Sequence, residues 1–207
     1  MSMEDYIAAR KEGIKQLHAL ESRGQDPYLP VLAELVPKLN QMAQVPLGLV
    51  QIGLDQIEGT ATKGRTTAFA RGFLPLLEQD SEFATKWSIL YDGIVEDGLR
   101  QPIVALEYYN RFYIVEGNKR VSVMRRLDAV NIEANVTRVL PEAEDSERYR
   151  VYQEFLSFYA DTKLNFIVFS REGSYERLYK LIGKTPGEKW TPEDLFDFQS
   201  CFYRFQQ

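Results

Sequence analysis

The stretch Ile114-Val115-Glu116-Gly117-Asn118-Lys119-Arg120-Val121-Ser122-Val123-Met124-Arg125-Arg126-Leu127 passes from a β-branched run, through one glycine, into a segment with helical spacing. Phe112–Glu116 reads as a strand, Gly117 ends it, and Asn118–Leu127 reads as a helix. The first turn of a helix carries backbone N–H groups without intrahelical partners and the positive end of the helix dipole. A glycine there lets a bulky anion approach the backbone, and Lys119 and Arg120 add full positive charge. The combination predicts a phosphate-sized anion site at Gly117, Asn118, Lys119 and Arg120. Arg120 shares a helical face with Val123, Met124 and Leu127, so an arginine begins an apolar stripe. Helical side chains lean toward the N-terminus, so this arginine can reach the mouth of the site. The plainer alternative is an arginine lying along the edge of the core.

Working outward, Gln101–Glu107 reads as a strand and Tyr109–Arg111 as a tight turn in which Asn110 takes the left-handed conformation. Ala134–Leu140, stopped by Pro141, and Leu47–Ile52, between Pro46 and Gly53, read as further strands. The expected class is α+β, with a small mixed sheet of four to five strands and helices packed on it. Tyr6–Arg23 reads as a helix with Ile7, Ile14, Leu17 and Leu20 roughly on one face. Val31–Asn40 reads as a second helix that Pro37 ends or kinks. Gly59–Thr67, with two glycines and four threonines, reads as an ordered loop, and Phe69–Leu77 as one or two short turns. Asp80 or Ser81 caps a helix running to about Glu96, with Phe83, Trp87, Leu90 and Ile94 along one side.

More than half of the aromatic residues follow Tyr149. Tyr149, Tyr152, Phe155 and Tyr159 form a helical stripe. Asn165–Phe169 is open to a strand reading, and Gly173–Ile182 reads as a helix. Thr191-Pro192-Glu193-Asp194 caps a last helix with Leu195, Phe198, Phe202 and Phe205 on one face. Rings at helical spacing without interleaved Lys/Arg runs indicate packing rather than base stacking. The organisation read from this is a helical extension over 1–45, a sheet domain over 46–141 and an aromatic-rich helical extension over 142–207. The last helix has no C-cap in sequence, which points to a further domain or a protein partner at that end.

The chain has 207 residues, a net charge of −5, one cysteine and one histidine. Cys201 alone excludes an intrachain disulfide, and a structural Cys/His zinc site needs about four ligands. In its aromatic helix Cys201 is expected to be buried, and His18 to be a surface or partly packed residue. The apolar runs fall far short of the roughly 20 residues that span a bilayer, and the polar N-terminus has no signal-peptide core. The expectation is a cytoplasmic protein without a membrane partner. Net acidity argues against strong nonspecific DNA binding.

Gly98-Leu99-Arg100-Gln101-Pro102-Ile103, a hairpin, and then Glu116-Gly117-Asn118-Lys119-Arg120-Val121-Ser122-Val123 resemble the ParB/sulfiredoxin-like superfamily. The resemblance covers roughly Leu47 to Leu140, with Asp55-Gln56-Ile57 and Arg65 as the upstream strand and loop. It implies nucleotide binding: ParB binds and hydrolyses CTP, sulfiredoxin uses ATP, and a free serine kinase uses ADP. Carried over, Gly117, Asn118, Lys119 and Arg120 would contact phosphates, and Gly98, Gln101 and Pro102 would lie at the other side of the nucleotide. Arg65, with Lys63 beside it, is either a loop residue that closes over the nucleotide or a solvated arginine, and the resemblance favours closure. Sulfiredoxin keeps its nucleophilic cysteine at the position of Asn118, so sulfinic acid reductase chemistry is not expected here. The downstream Glu-Asn-x-x-Arg motif and the helix-turn-helix reader of ParB have no clear match after Leu140, and the local turn is Gly-Asn-Lys-Arg rather than Gly-Glu-Arg-Arg. The whole chain is also similar to the N-terminal module of bacterial proteins in which such a segment precedes a periplasmic-binding-type domain.

Glu116 is a candidate general base or Mg²⁺ ligand, and equally a strand-end carboxylate. The expected function is therefore nucleotide or phosphate binding, with CTP, ATP or ADP and Mg²⁺ as ligands and with hydrolase or phosphotransferase activity as its extension. A DNA-binding partition or transcription protein and a non-catalytic docking module are the alternatives.

Overall fold

In the computed structural model the strand β1 (Gln44–Gly53) edges a five-stranded sheet whose remaining members are β2 (Ile57–Thr60), β5 (Ile103–Tyr108), β6 (Arg111–Glu116) and β7 (Asn131–Val139). Two-residue strands β3 (Phe69–Ala70) and β4 (Leu74–Pro75) pair separately. The structure describes residues 2–64 and 66–205. The sheet order is β1-β7-β5-β6-β2, with antiparallel β1/β7 and β5/β6 pairs and parallel β7/β5 and β6/β2 pairs. The fold is thus mixed α+β with a mixed sheet. The coordinates divide into two compact units, 1–141 and 142–207.

In the first unit, one face of the sheet carries Ile103, Ala105, Ile114, Ile132, Ala134 and Val136 into the main core. Full burial of each large side chain contributes about 1.5–3 kcal/mol. Three helices of this unit, α1 (Ser2–Glu21), α3 (Glu82–Asp97) and α4 (Asn118–Arg126), supply core residues such as Tyr6, Trp87 and Val121. Trp87 donates its indole N–H to Ser122 Oγ at 2.9 Å, joining α3 to α4. Tyr6 meets Trp87 edge to ring at 5.4 Å and donates to the Leu77 carbonyl at 2.7 Å, and burial pushes its phenol up to about 12. On the opposite face Leu32, Val36 and Leu39 cover Tyr113 and Val139.

Several local expectations change. α1 starts earlier and buries Tyr6, Ala9 and Gly13, while Ile7 is exposed. The small residues decide this: a Cβ on Gly13 would lie 2.7 Å from the Pro75 carbonyl, so the helix approaches β4 along its smallest face. The single helix expected over Val31–Asn40 is instead α2 (Leu32–Leu35) and a 3₁₀ turn at Leu39–Gln41, broken at Pro37, which cannot donate within a helix. Residues Gly59 and Thr60, read as loop, belong to β2. There Thr60 Oγ donates to the Ile114 carbonyl at 2.9 Å, and a Cβ on Gly59 would lie 2.1 Å from the Pro30 carbonyl. β1 extends beyond Leu47–Ile52 and contains Pro46, which an edge strand tolerates.

The second unit contains α5 (Glu147–Thr162), α6 (Ser174–Ile182) and α7 (Pro192–Phe205). Phe158 is ringed by Tyr175, Tyr179 and Trp190 at centroid distances of 5.2, 5.9 and 5.8 Å. Asn165–Phe169 is not a strand; its Ile167 carbonyl accepts from the Tyr175 hydroxyl at 2.8 Å. Thr191 caps α7, accepting from Asp194 N at 3.2 Å. Cys201 is exposed rather than buried, because α7 turns Phe198, toward Trp190, and not Cys201 into the aromatic cluster. His18 is exposed.

Candidate functional site

The β5–β6 hairpin turns through Tyr109 and Asn110, with φ of 51° and 62°. Positive φ at both central residues gives the backbone twist that matches flanking strands in a two-residue turn. The returning strand β6 ends at Gly117, with φ 114° and ψ 20°. A Cβ at this position would lie 2.6 Å from Ile103 Cγ2 on β5. Conformation and space both require glycine, because the chain leaves the sheet while still resting on β5. The first intrahelical bond of α4 runs from Val121 N to the Gly117 carbonyl at 3.0 Å, so the amides of residues 118–120 precede the helical ladder.

A cavity of about 840 Å³ opens at this junction. This lies within the range of small-molecule sites, about 300–1,000 Å³. Its polar lining includes Glu116, Gly117, Asn118, Lys119 and Arg120 with Gly98 and Gln101. Its apolar lining includes Ile89, Leu90, Gly93 and Ile94 of α3 with Leu99. Thr62 and Gly64 reach the cavity from the loop after β2. α3 ends at Gly98, whose φ of 75° turns the chain back toward β5.

The side chains of the polar lining are specifically engaged. Arg120 is mostly buried, at 14% exposure, and donates through Nη1 to the carbonyls of Gln101 at 3.1 Å and Pro102 at 2.5 Å. Its Nη2 donates to Glu116 Oε1 at 2.9 Å. Arg120 thus fastens the start of α4 to the segment leading into β5. Glu116 is 72% exposed. Arg100, which also lines the cavity, pairs with Asp97 at 2.5 Å. Lys119 places Nζ 4.6 Å over the Phe83 ring, a cation–π contact at the cavity wall. The side-chain oxygen of Asn118 is buried without a hydrogen-bond partner among the described residues.

The residues expected at the site therefore converge: Gly98, Gln101, Glu116, Gly117, Asn118, Lys119 and Arg120 all line one cavity. Pro102 enters through its carbonyl, as a partner of Arg120. Arg65 lies outside the described residues, and its neighbour Lys63 pairs with Glu34 at 2.8 Å. The α3 wall was not anticipated. Phe83, Leu90 and Ile94 read as one core-facing stripe, whereas α3 also offers a second face through Ile89, Gly93 and Asp97. The signal was a helix-interior glycine one turn after an isoleucine lying off the core stripe. Among the described residues no group of three His, Cys, Asp or Glu side chains is arranged to hold a metal ion. No helix among them is long and apolar enough to cross a membrane.

No family model matches the chain. No curated protein matches it. Among solved structures the chain is similar to the crystal structure of sulfiredoxin from Arabidopsis thaliana, at 20% sequence identity and a TM-score of 0.31, over 42% of this chain and 82% of that one.

Proposed function

We propose that the cavity binds a phosphate-bearing small molecule, specifically a nucleotide, with its phosphates at the first turn of α4 and its base toward the α3 wall, in the manner of a ParB/sulfiredoxin-like domain. The observation that carries this reading is the shared cavity itself: a helix N-terminus with Lys119 and the aliphatic residues of α3 line the same space. The dipole of an N-terminal turn contributes about 0.3–1 kcal/mol toward an anion, and a charge-assisted hydrogen bond about 1.5–3 kcal/mol. Three cationic side chains line the cavity against two carboxylates, Asp97 and Glu116. Each of these carboxylates already faces an arginine, so Mg²⁺ would enter as the counter-ion of the phosphates, with Glu116 as the side chain available to it. In an extension to nucleotide hydrolysis or phosphoryl transfer, Glu116 would be the general base.

Titration calorimetry with CTP, ATP and ADP, each with Mg²⁺, tests the reading. Micromolar binding of at least one nucleotide is expected, weakened about tenfold or more by Lys119→Ala, the loss of one charge-assisted contact. No heat from any of the three at tens of micromolar protein overturns it.

A further inference from the structure

Gly93 sits inside α3, where glycine is the poorest helix former after proline. Most other glycines of this unit have a reason in the protein, and Gly64, which like Gly93 has open space around it, lies in the loop after β2 rather than inside a helix. Gly13 and Gly117 would drive a Cβ into neighbouring atoms, and Gly98 has a positive φ. Gly93 has neither: its φ is outside the left-handed region, and a Cβ there would meet no atom within 4 Å. The empty space it leaves belongs to the cavity, since Gly93 lines it together with Ile89 one turn earlier and Asp97 one turn later. Ile89 is 67% exposed, an aliphatic side chain turned away from the core that Phe83, Ala84, Trp87 and Ile94 enter from the same helix. Leu90 and Leu99 adjoin it in the cavity wall.

We infer that Gly93 is a specificity-determining residue: its bare backbone, flanked by Ile89 and Leu99, is the shelf on which the flat ring of the ligand rests. The inference rests on the nucleotide reading and assigns the ring end of the same site. A flat ring in van der Waals contact with helix backbone requires the absence of a side chain, and a side chain at 93 would take the ring's place while its Cβ met no neighbouring atom. Stability and binding must then move in opposite directions. This separates a ligand seat from a glycine kept for the fold.

The test compares wild type, Gly93→Ala and Gly93→Leu in thermal unfolding and in titrations with ATP, CTP, ADP and tripolyphosphate, which carries the phosphates without a ring. Both variants should melt at or above the wild-type temperature, Gly93→Ala by about 2–4 °C, since each replaces glycine with a better helix former. Gly93→Leu should weaken the nucleotide that binds wild type by about tenfold or more, while tripolyphosphate stays within about twofold. Wild-type nucleotide binding that survives Gly93→Leu overturns this inference alone, as does an equal loss for tripolyphosphate. Wild type that binds tripolyphosphate but no nucleotide removes the ring and the inference with it. Wild type that binds neither removes both readings.

Discussion

Two Glu–Arg pairs of the same unit use identical chemistry to opposite ends. Glu107 on β5 faces Arg138 in register on β7, and both lie on the core face of the sheet, at 1% and 6% side-chain exposure. Glu107 Oε2 accepts from Arg138 Nε, and Oε1 accepts from Asn110 N at 2.7 Å, which ties the hairpin turn to the pair. Glu116 and Arg120, by contrast, stand at 72% and 14% exposure at the rim of the cavity. The interior carboxylate has both oxygens engaged by the protein. The rim carboxylate lies largely in solvent while its arginine is held against two backbone carbonyls. Burial, not residue type, decides whether such a pair serves the fold or stays available to a ligand.

The sharpest break in this comparison comes from Glu107→Ala. It leaves a buried guanidinium without its carboxylate and Asn110 N without its acceptor. Loss of one partner of a buried pair costs about 3–5 kcal/mol, and urea unfolding should show that loss. Adding Arg138→Met should recover a large part of it, because the double variant has no unpaired charge to bury. A loss below about 1 kcal/mol for the single variant would mean that the pair is solvated and that the contrast with the rim does not hold.

The junction from β6 to α4 was legible in sequence because strand, glycine and helix each have a local cause, and Gly117 is required by φ and by Ile103 together. The hairpin was legible for the same reason. The Glu107–Arg138 pair was not, because it joins residues 31 positions apart across a parallel register that sequence periodicity does not define. The helix start gave Lys119 and Arg120 as equivalent phosphate ligands, yet long-range contacts separate them. Arg120 is taken up by the carbonyls of Gln101 and Pro102, while Lys119 lies over Phe83. The face of α1 was misread because Ala9 and Gly13 pack through their smallness, which a hydrophobic pattern does not weigh.

Arg120→Ala is expected to have an intermediate effect. It releases three hydrogen bonds, two to backbone carbonyls and one to Glu116, from a side chain that is mostly buried. Stability should fall by about 1–3 kcal/mol, measured by denaturant unfolding. The strut geometry makes Arg120 a positioning residue for the cavity, so Arg120→Lys should restore part of the stability but not the forked contact to two carbonyls. If Arg120→Ala leaves stability unchanged and only binding falls, the arginine acts on the ligand directly and the strut description is wrong.

The smallest effect belongs to Glu116→Gln, and its sign is what discriminates. The exposed pair contributes no more than about 1 kcal/mol to folding, so the melting temperature should hardly move. Without Mg²⁺, removing a negative charge from the rim should instead favour an incoming phosphate. Two unit charges about 8 Å apart in water interact by about 0.5 kcal/mol, which corresponds to about a twofold gain in affinity per phosphate charge. The gain should shrink as salt is raised toward about 1 M, where the Debye length falls to about 3 Å. Titration of tripolyphosphate against wild type and Glu116→Gln at two salt concentrations measures it. A loss of affinity instead of a gain would show that the Glu116 carboxylate itself holds part of the ligand complex, directly or through Mg²⁺, and repeating the titration with and without Mg²⁺ separates those two cases. If only the Mg²⁺ series loses affinity, the rim pair is an ion-binding arm of the site, and Glu116 rather than Arg120 is its working member.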